Sequence, residues 1–372
     1  MINENSKQSQ YFHYFASDVD IKLIKFIFPE HVKANALKLI IMKNTLKSII
    51  AILSIALVFV LFFIIPTLLF PVSEDLLKGI NPEEMQLFFP LLIIYSLYIS
   101  ISYFFLLRNM DQKRTALFFQ LLLAHFIMYP LMGLLESLFW GDAFKGVDVS
   151  EFIGIFLRFV ITFSLFSGFL AIIGKKRTSS IHFFKQAANY KQAGIKILLI
   201  GLAYFVIYNL FGYFIAWQFE ATRQFYTGSI ENIGFFQSMW QNISNPVFVI
   251  VHTFRGMLFG VAGYLFHNIL KCSRSRKIII LALIFGGFGF QIVLPNPLLP
   301  EMVRISHFIE TTSSMLLFGA LVGVIFNYKK AKSSGSLYDT ATGRLWPKGA
   351  NHSIAKGLFK KQPRGYCRPD VH

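Results

Sequence analysis

Apolar residues in this chain gather in long runs, and the lysines and arginines between the runs fall on alternate sides. The runs lie near 48–72, 86–107, 116–139, 152–173, 195–219, 246–270, 277–294 and 305–327. A hydrocarbon core about 30 Å thick is crossed by a helix of roughly 20 mostly apolar residues, and each run is close to that length. The pattern therefore predicts an all-α fold: a polytopic transmembrane helical bundle of about eight spans.

The basic residues orient the bundle. Lys22, Lys25, Lys33, Lys38, Lys43 and Lys47 precede the first run, and Arg108, Lys113 and Arg114 follow the second. Lys175, Lys176 and Arg177 follow the fourth, and Lys271, Arg274, Arg276 and Lys277 follow the sixth. The intervening connections carry only Lys78, Lys145, Arg223 and Arg304, and acids such as Glu74, Glu83, Glu84, Asp148, Glu151, Glu231 and Glu301 collect there instead. Because lysine and arginine are retained on the cytoplasmic side, both termini are expected inside and the sparse loops outside.

This divides the chain into a cytoplasmic amphipathic segment over 1–47, a membrane bundle over 48–327 and a basic tail over 328–372. Within the first, the stretch from Tyr11 to Met42 interleaves Ile21, Leu23, Ile24, Phe26 and Ile27 with Lys22 and Lys25. Such a stretch either lies flat on the inner leaflet or packs beneath the bundle. The tail is rich in Gly, Ser, Lys and Pro and has too little apolar surface to order itself, so disorder is expected there.

Composition agrees with this class. The chain is 55% hydrophobic, 17% aromatic and only 15% charged, far too apolar for a soluble domain. The net charge of +17 sits at helix edges, where it orients spans and attracts anionic lipid, and no compact basic domain exists to bind nucleic acid. Membrane lipid is the expected partner. Two cysteines, Cys272 and Cys367, both map to the reducing side, so neither a disulfide framework nor a metal site is expected, and no cofactor is implied.

Chemistry is then sought among the polar groups that enter the membrane. A charge at the bilayer centre costs about 2.5–3.5 kcal/mol on the insertion scale, so it needs a partner or a task. Glu136 lies near the outer end of the third run and Arg158 just inside the fourth; a hairpin joins these runs, and the two are expected to meet. His252 and Arg255 share a face of the sixth, and Arg304, His307 and Glu310 recur at a spacing of three in the eighth. Glu220 and Arg223 close the fifth, while His125, Tyr129, Met132 and Glu136 form one stripe and Asn209, Tyr213 and Glu220 another.

The common depth of these groups predicts a polar cavity that opens outward, with Glu136, Arg158, His252, Arg255, Arg304, His307 and Glu310 as its ligand-binding residues. The structural alternative is that Glu136 with Arg158, and Glu310 with Arg304 or Arg255, are buried ion pairs that only set helix register. A haem held between His125 and His252 is disfavoured by their offset in depth. No zinc-binding His-Glu-x-x-His, nucleophile elbow or phosphate-binding loop is present in the sequence.

Glycines add a packing expectation. Gly256 with Gly260, Gly319 with Gly323, and Gly286, Gly287 and Gly289 let backbones approach closely, which predicts a tight sub-bundle of the last three spans. Pro295, Pro297 and Pro300 stiffen the connection before the eighth.

The stretch from Pro295 through Arg304, His307 and Glu310 to Gly319, the stretch Phe211–Tyr226 and the dipeptide Arg255-Gly256 resemble a group of bacterial integral membrane proteins with no assigned activity. The likeness covers the second half of the membrane region, and it implies a bacterial inner membrane without supplying a mechanism. The paired glutamates and following arginine of intramembrane CAAX-type proteases are absent, since Glu220-Ala-Thr-Arg223 has one glutamate and a different spacing. Three functions fit the pattern: binding of an anionic or lipid-linked small molecule, with transport as one outcome; a non-catalytic scaffold or assembly factor; and an outer-leaflet lipid-modifying enzyme.

Overall fold

A computed structural model describes residues 30–77, 81–144, 147–174, 190–328, 338–339 and 344–345. Eight helices in it are long and apolar enough to cross a membrane. They are α1 (Glu30–Leu69), α2 (Phe88–Arg108), α3 (Arg114–Phe139), α4 (Val149–Ile173), α5 (Tyr190–Phe214), α6 (Pro246–Ile269), α7 (Arg274–Phe290) and α8 (Glu301–Asn327). The chain is thus a multi-pass membrane protein built as a helical bundle. The first span begins earlier than the apolar run, because α1 starts at Glu30 and continues unbroken into it. The rest of the amphipathic segment, residues 1–29, lies outside the described residues.

The bundle has two halves. In one, α1 packs on α2 and α4, and α4 packs on α3; in the other, α5 packs on α6 and α8, and α8 packs on α7. They meet along α3 with α6 and along α2 with α7. Aromatic side chains fill the interior, with Phe59, Tyr95, Tyr103, Tyr129, Phe163, Phe166, Phe259, Phe266, Phe285 and Phe318 almost wholly enclosed. The outer faces are apolar as well: Leu57 is 63% and Leu68 76% exposed on α1, a surface suited to lipid tails rather than water.

Local chemistry explains several joints. Asn245 accepts the Val247 and Phe248 N–H groups ahead of Pro246, which starts α6 with an N-cap and a proline at the first helical position. Pro66 in α1 has no N–H to give to the Phe62 carbonyl one turn back. Thr162 of α4 donates to that carbonyl at 3.0 Å, so the proline creates an acceptor and the neighbouring helix uses it. Around Pro130, residues Ile127–Leu131 form a π turn inside α3, which shifts the phase of everything after it.

The glycine expectation holds in part. Gly319 of α8 lies against the Leu281 carbonyl and Phe285, and Gly289 of α7 lies against the Thr311 and Thr312 backbone, so α7 and α8 are the tight pair. The glycines of α6 do something different: a Cβ on Gly256 would meet Tyr204 and Gly201, and one on Gly260 would meet Ile200, all on α5. Gly263 is the α6 position that meets Val322 of α8 and Phe285 of α7. Spacing identified the close contacts but could not identify which helix each one faces.

Residues 328–372 form a separate unit. Within it Tyr338–Asp339 pairs antiparallel with Arg344–Leu345; residues 329–337, 340–343 and 346–372 of the expected disordered tail lie outside the described ones, Cys367 among them.

Candidate functional site

The polar groups cluster at the end of the bundle where α3 and α5 finish and α4, α6 and α8 begin. Glu136 is one turn before the end of α3, and Arg255 is about two and a half turns into α6. The two form an ion pair between Arg255 Nη2 and Glu136 Oε2, in which the arginine side chain is 3% and the glutamate 37% exposed. Arg255 Nε and Nη1 have no hydrogen-bond partner among the described residues. The Tyr204 ring of α5 lies 5.9 Å from the guanidinium carbon. A buried guanidinium with one of its nitrogens engaged retains two nitrogens' worth of unused donors, an uncommon state in a folded interior.

One turn before Arg255, His252 is fully buried and donates from Nδ1 to the Phe248 carbonyl at 2.9 Å. That bond places the proton on Nδ1 and leaves Nε2 an acceptor, which is unpartnered. Its ring sits between Phe248 and Tyr208, with centroids 4.1 and 4.2 Å away, and Phe139 meets it edge-on at 5.1 Å.

On α8, Glu310 is 5% exposed and accepts from the Thr311 hydroxyl at 2.7 Å. His307 Nδ1 stands 3.6 Å from the same carboxylate, too far for a good hydrogen bond, and its Nε2 is also unpartnered. No arginine or lysine among the described residues pairs with Glu310. The short helix Glu220–Thr227 covers this region. Thr222 bonds Ser306 of α8 at 2.6 Å, Arg223 donates to the Ile230 and Trp217 carbonyls at 2.7 and 2.6 Å, and Gly228 ends the helix at φ 72°. These ties place the Tyr226 ring 5.5 Å from His307 and 5.0 Å from Trp140. Burial, followed by the negative charges of Glu136 and Glu310, holds the Tyr226 hydroxyl well above the usual phenol range.

The structure therefore pairs Glu136 with Arg255, one turn after His252, sets His307 beside Glu310 on α8, and places two predicted residues elsewhere. Arg158 does not meet Glu136: it is half-buried and bonds back to the Gly154 carbonyl of its own helix at 3.3 Å. Arg304 does not meet Glu310: its Nη1 donates to the Val293 carbonyl at 2.6 Å and its Nη2 pairs with Glu84 at 2.9 Å. Beside that pair is a cavity of about 260 Å³ lined by Glu84, Phe144, Phe225, Pro297 and Leu298 among others, and by none of the seven predicted residues.

The predicted stripes also separate. His125 is enclosed by Tyr103 on α2 and Ser167 on α4, with Nε2 2.5 Å from the tyrosine hydroxyl and Nδ1 2.7 Å from Ser167 Oγ, which itself donates to the Phe163 carbonyl at 2.6 Å. Both ring nitrogens are thus in use, which leaves none to a haem iron. Asn209 accepts from Asn242 at 2.8 Å, and Tyr213 donates to the Ile233 carbonyl at 2.9 Å; they tether the α5–α6 connection instead of lining a cavity. Tyr204, Tyr208 and Tyr226 were missed by the sequence pattern. The spacing of four between the first two was a usable signal, concealed by the number of aromatic residues in every span.

No protein-family model matches the chain, and no curated protein or solved structure matches it either.

Proposed function

We propose that this protein binds an anionic or lipid-linked small molecule in a polar pocket on the outward side of a bacterial inner membrane, with both termini inside. The observation that carries the proposal is Arg255 of α6, buried against Glu136 of α3 with Nε and Nη1 free of partners among the described residues. A guanidinium is suited to bidentate recognition of phosphate or carboxylate, and its desolvation cost argues for a task. Glu136, the more exposed half of the pair, lies at the approach and serves as counter-ion in the empty state. His252 and His307 supply hydrogen bonds through unpartnered Nε2 atoms, and Glu310 is the second acid. Arg158 and Arg304 are assigned to helix and loop positioning.

The test is thermal unfolding in neutral detergent with phosphatidylglycerol, a polyprenyl phosphate or an uncharged lipid added. An anion at about a hundredfold its Kd should stabilise the wild type by about 2.7 kcal/mol, and Arg255→Gln should remove that response. If no anion shifts the wild-type midpoint, or if Arg255→Gln responds as the wild type does, the proposal is wrong. A second reading, a non-catalytic scaffold, is favoured by the Arg304–Glu84 pair, which ties the start of α8 to the α1–α2 connection. On that reading Arg255→Gln lowers folded yield in detergent and no anion matters.

A further inference from the structure

The donors and acceptors of this cluster do not balance. Its fixed charges are Glu136, Glu310 and Arg255, and Arg255 is already paired with Glu136, so the carboxylate of Glu310 is the charge left over. Thr311 gives Glu310 one neutral hydrogen bond, which does not offset a buried negative charge. The two unpartnered imidazole nitrogens add to the imbalance. His252 Nε2 is an acceptor because Nδ1 holds the proton, and His307 Nε2 is one too when Nδ1–H is directed at Glu310. Against these acceptors the unused donors are the two nitrogens of Arg255. Tyr226, with Trp140 beside it, presents an aromatic wall next to His307, and such a wall attracts cations.

We infer that the ligand is a zwitterion carrying an oxyanion and a primary ammonium group. The oxyanion meets Arg255 on α6, and the ammonium lies against Glu310, His307 and the ring of Tyr226. This rests on the pocket proposed above and narrows its ligand from any anion to one with a cationic amine. The chemistry has two natural sources, a phosphoethanolamine lipid headgroup and a free small zwitterion.

The test is direct binding to the full chain in neutral detergent with four probes. These are short-chain phosphatidylethanolamine, short-chain phosphatidylglycerol, short-chain phosphatidylcholine and free phosphoethanolamine. The ethanolamine lipid should bind about tenfold or more tightly than the glycerol lipid, the size of effect expected when a buried charged hydrogen bond is gained. Choline, which has no N–H to give Glu310 or the imidazoles, should also be weaker than ethanolamine. Free phosphoethanolamine binding as well as the lipid supports the inference with a soluble ligand, and lipid binding alone supports it with a headgroup. Glu310→Gln should narrow the difference between the ethanolamine and glycerol lipids; because the main comparison uses the wild type, it stands whether or not this variant folds.

Equal affinity for ethanolamine and glycerol lipids, both lost in Arg255→Gln, overturns the zwitterion and leaves the anion pocket intact. Absence of binding by all four probes overturns the zwitterion, and if a polyprenyl phosphate fails to bind as well it overturns the pocket too.

Discussion

His125 and His252 are both buried histidines of apolar helices, and they differ in what their second nitrogen meets. His125 belongs to a chain of donation that runs from the Tyr103 hydroxyl through both ring nitrogens to Ser167 and ends on the Phe163 carbonyl. His125 and Ser167 each give and receive, so the unit costs little to bury and fastens α2, α3 and α4 together. Replacing Tyr103 by Phe deletes the first donor and leaves Nε2 unpaired; a loss of about 1–2 kcal/mol is expected, read as a lower unfolding midpoint in detergent. Nε2 of His252 has no partner among the described residues, and neither have Nε and Nη1 of Arg255 one turn later. Satisfied groups hold the bundle, and the proposed ligand is expected where unsatisfied nitrogens of His252 and Arg255 fall on successive turns of one helix.

Among the elements, α7 and α8 approach most closely because glycine lets one backbone touch the other. A methyl on Gly289 would stand 2.5 Å from the carbonyl carbon of Thr311 and the nitrogen of Thr312, atoms that cannot rotate away. Gly289→Ala should therefore force the helices apart at a cost of about 1–3 kcal/mol or more. Gly133 of α3 has nothing within 4 Å of its added Cβ, so Gly133→Ala should be neutral or stabilise by up to about 1 kcal/mol through helix propensity. Paired melting curves of the two variants check both outcomes, and equal losses would refute the packing argument. The π turn in α3 is the other decisive element. It follows His125 and precedes Glu136, so a stripe drawn at ordinary helical spacing joins residues that serve separate networks.

At the scale of the molecule, two helical halves meet along α3 with α6 and α2 with α7, and the proposed pocket sits at one end of the first seam. The opposite end is closed by main-chain hydrogen bonds between the α2–α3 and α6–α7 connections, with Lys271 N–H donating to the Asn109 carbonyl at 2.7 Å. Cys272 is on that second connection, which the proposed orientation puts on the cytoplasmic side. In a Cys367→Ser background, a membrane-impermeant maleimide should leave Cys272 unlabelled in intact spheroplasts and label a Ser229→Cys variant. The reverse result would invert the orientation. Burial raises the Cys272 thiol above its ordinary value despite the pull of Lys277 and Arg276 in the other direction. The thiolate is the reacting form, so in opened membranes its labelling should be slow at neutral pH and accelerate as pH rises past the range of a free thiol.

What the chain determined by itself is its class and its spans. A bilayer imposes one length and one polarity on anything that crosses it, so apolar runs could be read as helices without reference to neighbours. The same count gave the depth expected of each polar group along its run. Pairing was not legible. A helix stripe gives the face of a residue but not the helix opposite, and sequence proximity put Arg158 beside Glu136 where the fold puts Arg255. Arg304 likewise reaches a loop carboxylate, Glu84, far away in sequence. Only the tertiary structure decided which charges compensate each other, because in a low-dielectric interior that depends on the order of helices around the bundle and on the one extra residue of a π turn.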